Sequence, residues 1–205
     1  MNDITPANNL TDSDSAWASI NTPLSVDELK NFCRDIIRLY RINPMLEFKE
    51  TTVIGENEYS FSGKNISHET AFDFEFNLKA RETENGFEVI YDKGIKSSTD
   101  FSIEATGSGS RLTITERYDR LSEAERKAHL GEVDKSLTNW AEYLQRFIIM
   151  WKKWSRFGLW RWYMRAVWQP MKPMARRITY MLLWITLVEV ALITLGVGIY
   201  FSEFG

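Results

Sequence analysis

The clearest pattern in the chain is the alternation in "FDFEFNL", where Phe72, Phe74, Phe76 and Leu78 fall on one side and Asp73, Glu75 and Asn77 on the other. A period of two is that of a strand with one buried and one wet face. Shorter runs of the same kind occur at "LEFKETTVI" and "EYSFSGKN", parted by a turn at Gly55 to Asn57, and at "GFEVIYDKG", "TDFSIEAT" and "RLTITERY". "GSGS", Gly107 to Ser110, turns the last pair. "SAWASINTPL" reads as an earlier strand, with Trp17, Ser19 and Asn21 opposite Ala16, Ala18 and Ile20. Strands in close succession with short turns make an antiparallel sheet.

Two helices flank this run. Ser25 and Glu28 have the spacing at which each side chain caps the other's backbone N–H, and Leu29, Phe32, Cys33, Ile36 and Tyr40 follow at steps of three and four. The stripe predicts one amphipathic helix from Ser25 to Asn43–Pro44, where proline stops it. After the last strand, Ser122 and Glu125 repeat the capping box, and Val133, Leu137, Trp140, Leu144, Phe147 and Trp151 recur at steps of four, three, four, three and four. A seam this regular lies on an apolar surface, and the sheet supplies one. The order strand, helix, six strands, long helix is that of an α+β domain whose curved antiparallel sheet wraps a long C-terminal helix. Its inner wall is predicted to be Phe72, Phe74, Phe76, Phe101, Ile103, Leu112 and Ile114, faced by Leu137, Trp140 and Leu144. Alternation leaves open whether these ten close as a dry core or line a ligand cavity.

The end of the chain is different. Ile178 to Phe201 is a run of 24 residues without Pro, Lys or Arg, in which Glu189 is the one acid. As a helix it would span about 36 Å, enough to cross a hydrocarbon layer of roughly 30 Å with some tilt. It is predicted to be a transmembrane helix. Charge divides the chain in the same place: residues 1–145 hold 26 acids and 16 bases, residues 146–205 two acids and nine bases, within a net charge of −3. Lys152 to Arg177 carries eight bases and no acid, and such flanks stay on the cytoplasmic side. The N-terminus has no apolar signal stretch.

Four segments follow: a disordered lead-in, 1–14; the folded domain, 15–150; a basic aromatic juxtamembrane segment, 151–177; and the span, 178–201. The third holds five of the eight tryptophans. Trp151, Trp154, Trp160, Trp162 and Trp168, with Lys152, Lys153, Arg156, Arg161, Arg165, Arg176 and Arg177, are predicted to sit at the membrane interface, where indole rings and cations meet headgroups. Ser122 to Phe147 already covers about 39 Å as helix, so residues past Trp151 are predicted to overhang the body, with Pro170 and Pro173 breaking any continuous helix. The acidic body argues against nucleic acid as a partner.

A carboxyl at mid-bilayer costs roughly 2.5–3.5 kcal/mol on insertion scales. Thr179, Thr186, Glu189, Ile193 and Gly196 lie along one side of the span, a small and polar stripe of the kind used between helices. Thr186, Glu189 and Gly196 are therefore candidates for docking against another transmembrane helix, of a partner complex or of a second copy.

Conventional catalytic and metal-binding signals are missing. His68 and His129 are the two histidines, and no Cys or His pair has metal-ligand spacing. Cys33, the single cysteine, lies on the apolar stripe and reads as core. "GSGS" lacks the lysine and helix of a P-loop, and no serine sits in a G-x-S-x-G elbow. No cofactor is implied.

The order of elements over residues 15–150, together with "LSVDELKNFCRDIIRLYRINPMLEF" ahead of the second strand, resembles the START-like superfamily, also called SRPBCC or polyketide cyclase-like. The resemblance implies a helix-grip fold holding an apolar ligand between sheet and helix. Members similar to one of the proteins of the carbon monoxide dehydrogenase system add a C-terminal membrane anchor, and members resembling the ubiquinone-binding mitochondrial proteins bind polyprenyl quinones. The expectation is a membrane-anchored, cytoplasm-facing domain that binds a lipid or quinone at the bilayer surface. The alternative is a non-catalytic accessory or assembly subunit docked through its span; an enzyme of cyclase or hydrolase type ranks third, with no catalytic constellation visible.

Overall fold

The computed structural model of the chain describes residues 5–6, 15–67, 71–120 and 123–204, with backbone alone for Thr5–Pro6, 123–135 and Phe204. It comprises two compact units, Met1–Pro170 and Met171–Gly205. In the first, the strands are β1 (Thr5–Pro6), β2 (Ser15–Thr22), β3 (Leu46–Gly55), β4 (Glu58–Asn65), β5 (Phe72–Thr83), β6 (Gly86–Tyr91), β7 (Ser98–Thr106) and β8 (Gly109–Arg117). The helices are α1 (Val26–Cys33), α2 (Ile36–Arg41), α3 (Glu123–Trp154) and α4 (Gly158–Tyr163), the last running into a π turn at Met164–Trp168. The second unit is α5 (Pro173–Phe204).

All strands join one antiparallel sheet in the order β1-β2-β8-β7-β6-β5-β4-β3. β3 to β8 form a meander, and β2 closes beside β8 in full register from Ser15↔Arg117 to Thr22↔Ser110. The β3–β4 turn is made possible by Asn57, whose φ of 56° is tolerated by asparagine better than by most residues. Gly109 ends the β7–β8 turn where a Cβ would come within 2.1 Å of the Thr22 carbonyl oxygen. Thr5–Pro6 pairs with Ser19 and Ala18, so part of the segment expected to be disordered extends the sheet edge.

The first helix is two helices. The Ser25–Glu28 capping box forms as the spacing predicts, but the chain breaks after Cys33. Asp35 is the cause: its carboxylate accepts from the Arg38 backbone N–H at 3.0 Å, capping a new helix and competing with continuation of the old one. The stripe survives the break, and Leu29, Phe32, Cys33, Ile36, Leu39 and Tyr40 are all buried. The second capping box, Ser122 with Glu125, falls outside the residues whose side chains are described.

α3 crosses the sheet on the predicted seam. Trp140, 2% exposed, meets Phe101 edge-on at 5.8 Å and Tyr40 at 5.3 Å, and its indole N–H donates to the Leu39 carbonyl at 3.2 Å. Gln145 Nε2 donates to the Asn21 carbonyl at 3.0 Å, tying the same helix to β2. Where the sequence predicts an overhang past Trp151, the chain instead turns at Ser155–Phe157 and folds back. Trp160 of α4 packs on Trp151 at 5.6 Å, Trp168 packs on Phe147 at 5.2 Å, and Met164 between them is 2% exposed. Aromatic rings of this size gain more from mutual burial than from projecting into water.

α5 begins with Pro173 in the first turn, where the missing N–H is not needed. From Pro173 to Glu203 it has a mean hydropathy of 2.2, and no side is covered. It is long and apolar enough to cross a membrane, and it starts five residues before the predicted Ile178.

Candidate functional site

The inner face of the sheet changes character along its strands. At the middle it is apolar: Phe101, Ile103, Leu112 and Ile114 are buried, and Leu137, Trp140 and Leu144 close over them from α3. Seven of the ten predicted wall residues are thus brought together, packed against one another as core. The remaining three lie on β5 and form a gradient. Phe76 and Phe74 are half-buried, and Phe72, expected on the inner wall, is 45% exposed.

Register explains the gradient. β5 pairs with β4 from Phe72 to Lys79, but with β6 only from Leu78 onward. The stretch Phe72 to Asn77 therefore runs on past the end of β6. Asn77 and Asp92 finish the ladder, the Asn77 N–H donating to Asp92 Oδ1 at 2.8 Å and the Asp92 N–H to the Asn77 carbonyl at 3.0 Å. Along the overhang, Phe74 stacks on Phe76 at 5.2 Å and meets Phe48 at 5.7 Å, while Phe76 abuts Tyr91 at 5.3 Å. These rings make an apolar lip that leads inward.

Behind the lip lie polar groups that sequence pattern passes over. The hydroxyls of Tyr40 and Tyr91 share a hydrogen bond, and that of Tyr91 is 3.0 Å from Thr99 Oγ1. On β8 the inward series Ser110, Leu112, Ile114 ends in Glu116, which is 1% exposed and accepts from both Lys96 Nζ and the Tyr118 hydroxyl. Burial pushes the Tyr40 and Tyr91 phenols up, away from ionisation. Burial also opposes the charge on Lys96, but the Glu116 carboxylate outweighs it and the ammonium pKa is raised. One end of an aromatic interior thus carries neutral hydroxyls and a paired ammonium and carboxylate. Such groups can hydrogen-bond the polar end of an otherwise apolar molecule. Glu116 had a signal in the sequence, since it is in phase with Leu112 and Ile114; its partners did not.

The twelve predicted interface residues separate. Trp151, Trp160 and Trp168 turn inward onto the core, contrary to a wholly headgroup-facing segment. Trp154 and Trp162 face out at 42% and 60% exposure, with Lys152, Lys153, Arg156, Arg161 and Arg165 also exposed. Arg176 and Arg177 fall in the first turns of α5, and Thr186, Glu189 and Gly196 are exposed further along it. Thr194 satisfies its hydroxyl within the helix, donating to the Val190 carbonyl at 2.8 Å.

Cys33 is fully buried and its thiol is pushed up to about 12 by burial, as befits inert core. His68 and the His129 side chain lie outside the described residues. Among the described residues no group of His, Cys, Asp and Glu is arranged to hold a metal ion.

No protein-family model matches the sequence, and no curated protein matches it. Solved structures do match in fold. A protein of Thermus thermophilus is 12% identical, with a TM-score of 0.54, over 66% of this chain and 97% of its own. A START superfamily protein of Mycobacterium smegmatis is 14% identical, with a TM-score of 0.50, over 66% of this chain and 97% of its own. A second M. smegmatis protein is 10% identical, with a TM-score of 0.52, over 71% of this chain and 96% of its own. Together with the strand order and the helix laid across the sheet, these matches show that the chain has the START-like helix-grip fold.

Proposed function

We propose that this chain is a membrane-anchored START-like domain, facing the cytoplasm, that binds an apolar molecule with a polar end, a lipid or a quinone. The observation that carries the reading is α5, a 31-residue apolar span with no covered side, attached to a fold of ligand-binding type. A helix apolar on every face is at ease in lipid and not in water. The bases between Lys152 and Arg177 favour the cytoplasmic side for the residues that precede the span.

Within the body, the Phe72–Phe74–Phe76 lip supplies an apolar way in, and the Tyr40, Tyr91 and Glu116 cluster supplies partners for a carbonyl or hydroxyl. The test is to purify the full chain from membranes in mild detergent and analyse its extract by mass spectrometry. One defined apolar molecule should be retained, and less of it by Phe74→Asp. Retention of nothing beyond bulk lipid would remove the reading.

Glu189 supports a second reading, in which the chain is an accessory subunit docked through its span. A mid-bilayer carboxyl gains from a hydrogen-bonding neighbour helix. Glu189→Leu should then abolish co-purification with an integral membrane partner, and unchanged co-purification would count against docking.

A further inference from the structure

A recess of about 580 Å³ lies away from the sheet interior, between the α1–α2 corner and the end of α3, and Arg38, Lys152, Ser155 and Arg165 all line it. Three separated stretches of chain deliver these groups. The turn back after α3, which the sequence pattern does not announce, is what brings Arg165 to the same place as Arg38.

Arg38 is the unusual member. Its side chain is only 6% exposed, and its guanidinium carbon sits 4.2 Å from the Phe32 ring centre and 5.0 Å from that of Trp151. One Nη donates to the Phe32 carbonyl. Nε is buried with no hydrogen-bond partner, and the facing carboxylate oxygen, Asp35 Oδ2, stands 3.7 Å away, beyond hydrogen-bond length. Asp35 is also engaged in capping α2 through its other oxygen. A buried guanidinium with five donors and so few acceptors is costly unless an anion completes it.

The other charges leave room for one. Glu28 gives both carboxylate oxygens to Lys152, at 2.6 and 2.8 Å, and one of them also accepts from the Ser25 N–H. Arg34 reaches Asn31 and Glu82. Arg165 has no acidic partner among the described residues. Four bases, Arg34, Arg38, Lys152 and Arg165, thus line the recess with two acids, Glu28 and Asp35.

We propose that this recess binds a phosphate group, held by Arg38 from within and by Arg165 from the rim, with the Ser155 hydroxyl and Lys152 beside it. Donors converging from three directions suit a tetrahedral oxyanion better than a planar carboxylate. The site is separate from the apolar interior and does not depend on a ligand there. A phosphate could arrive as a lipid headgroup or as a free phosphorylated solute.

The test uses the full chain in a non-ionic detergent. It is titrated by calorimetry with inorganic phosphate and, separately, with monomeric dihexanoyl phosphatidic acid, and saturable binding of at least one is expected at millimolar concentrations or below. Arg165→Gln, a rim change that leaves the core alone, should weaken it by about tenfold or more, as the loss of one charge-assisted hydrogen bond predicts. Arg38→Lys, which keeps the charge but loses the fork, should weaken it too, while Arg161→Gln, off the recess, should not. Tighter binding of the lipid analogue identifies a headgroup site; equal or tighter binding of phosphate alone identifies a site for a free solute. Absence of saturable binding to both, or equal weakening by Arg161→Gln and Arg165→Gln, overturns the proposal.

Discussion

The side chains that alternation could identify are those whose neighbours are also strands or the seam of α3. Phe101, Leu112, Ile114, Trp140 and Leu144 were all legible because each is apolar, in phase and covered. Phe72 was in phase but is exposed, because coverage there depends on where β6 stops. Glu116 and Arg38 were missed for the opposite reason: each is charged yet buried, and the partners that make burial tolerable come from distant stretches of chain. Three buried acids of weak strength give the molecule a pH signature. The Cys33 thiol and the Tyr40 and Tyr91 phenols are raised by burial, so the folded state keeps protons that the unfolded state releases. Their contribution is complete below the unfolded values, about 8.5 for a thiol and 10 for a phenol, and is lost as pH climbs toward the raised folded values. The thermal midpoint should therefore hold from neutrality to about pH 8.5 and fall above it. A midpoint that rose across that range would contradict the buried placement of these groups.

Among the elements, strands and helix seams were predictable and their interruptions were not. Period and stripe are carried by many residues, whereas a break rests on one. Asp35 splits α1 from α2 within a stripe that would continue smoothly across it, and Ser155–Phe157 turns a run that has no proline to announce the change. Asp35→Ala separates two roles in one variant. Loss of the cap should cost about 0.5–2 kcal/mol of stability in urea. Removing a carboxylate from beside Arg38 should at the same time tighten phosphate at the recess, a change that calorimetry would read and that simple loosening of the fold would reverse.

For the whole molecule, composition was the surest guide: an acidic front, a basic aromatic stretch and an apolar end are visible before any element is assigned. The START-like fold was legible in element order alone, since few arrangements bury one long seam against a run of antiparallel strands. The depth to which residues 151–168 belong to the body was hidden, because Trp serves both a lipid headgroup layer and a protein core. Membranes carrying the full chain, washed in alkaline carbonate, should keep it in the pellet. Release into the supernatant would mean that α5 is covered by protein instead of lipid.

The pairing of Ser15 with Arg117 also sets a timetable. β2 is made early, but its partner strand follows about a hundred residues later, a delay of roughly 5–20 s at usual rates of synthesis. Throughout that interval Ala18 and Ile20 have neither ladder nor α3 above them, and closing so large a loop is the slow step in folds of this kind. A nascent chain of this design spends most of its synthesis with a sticky, half-made edge, and a chaperone that shields strand β2 should raise its yield more than one acting on the finished protein.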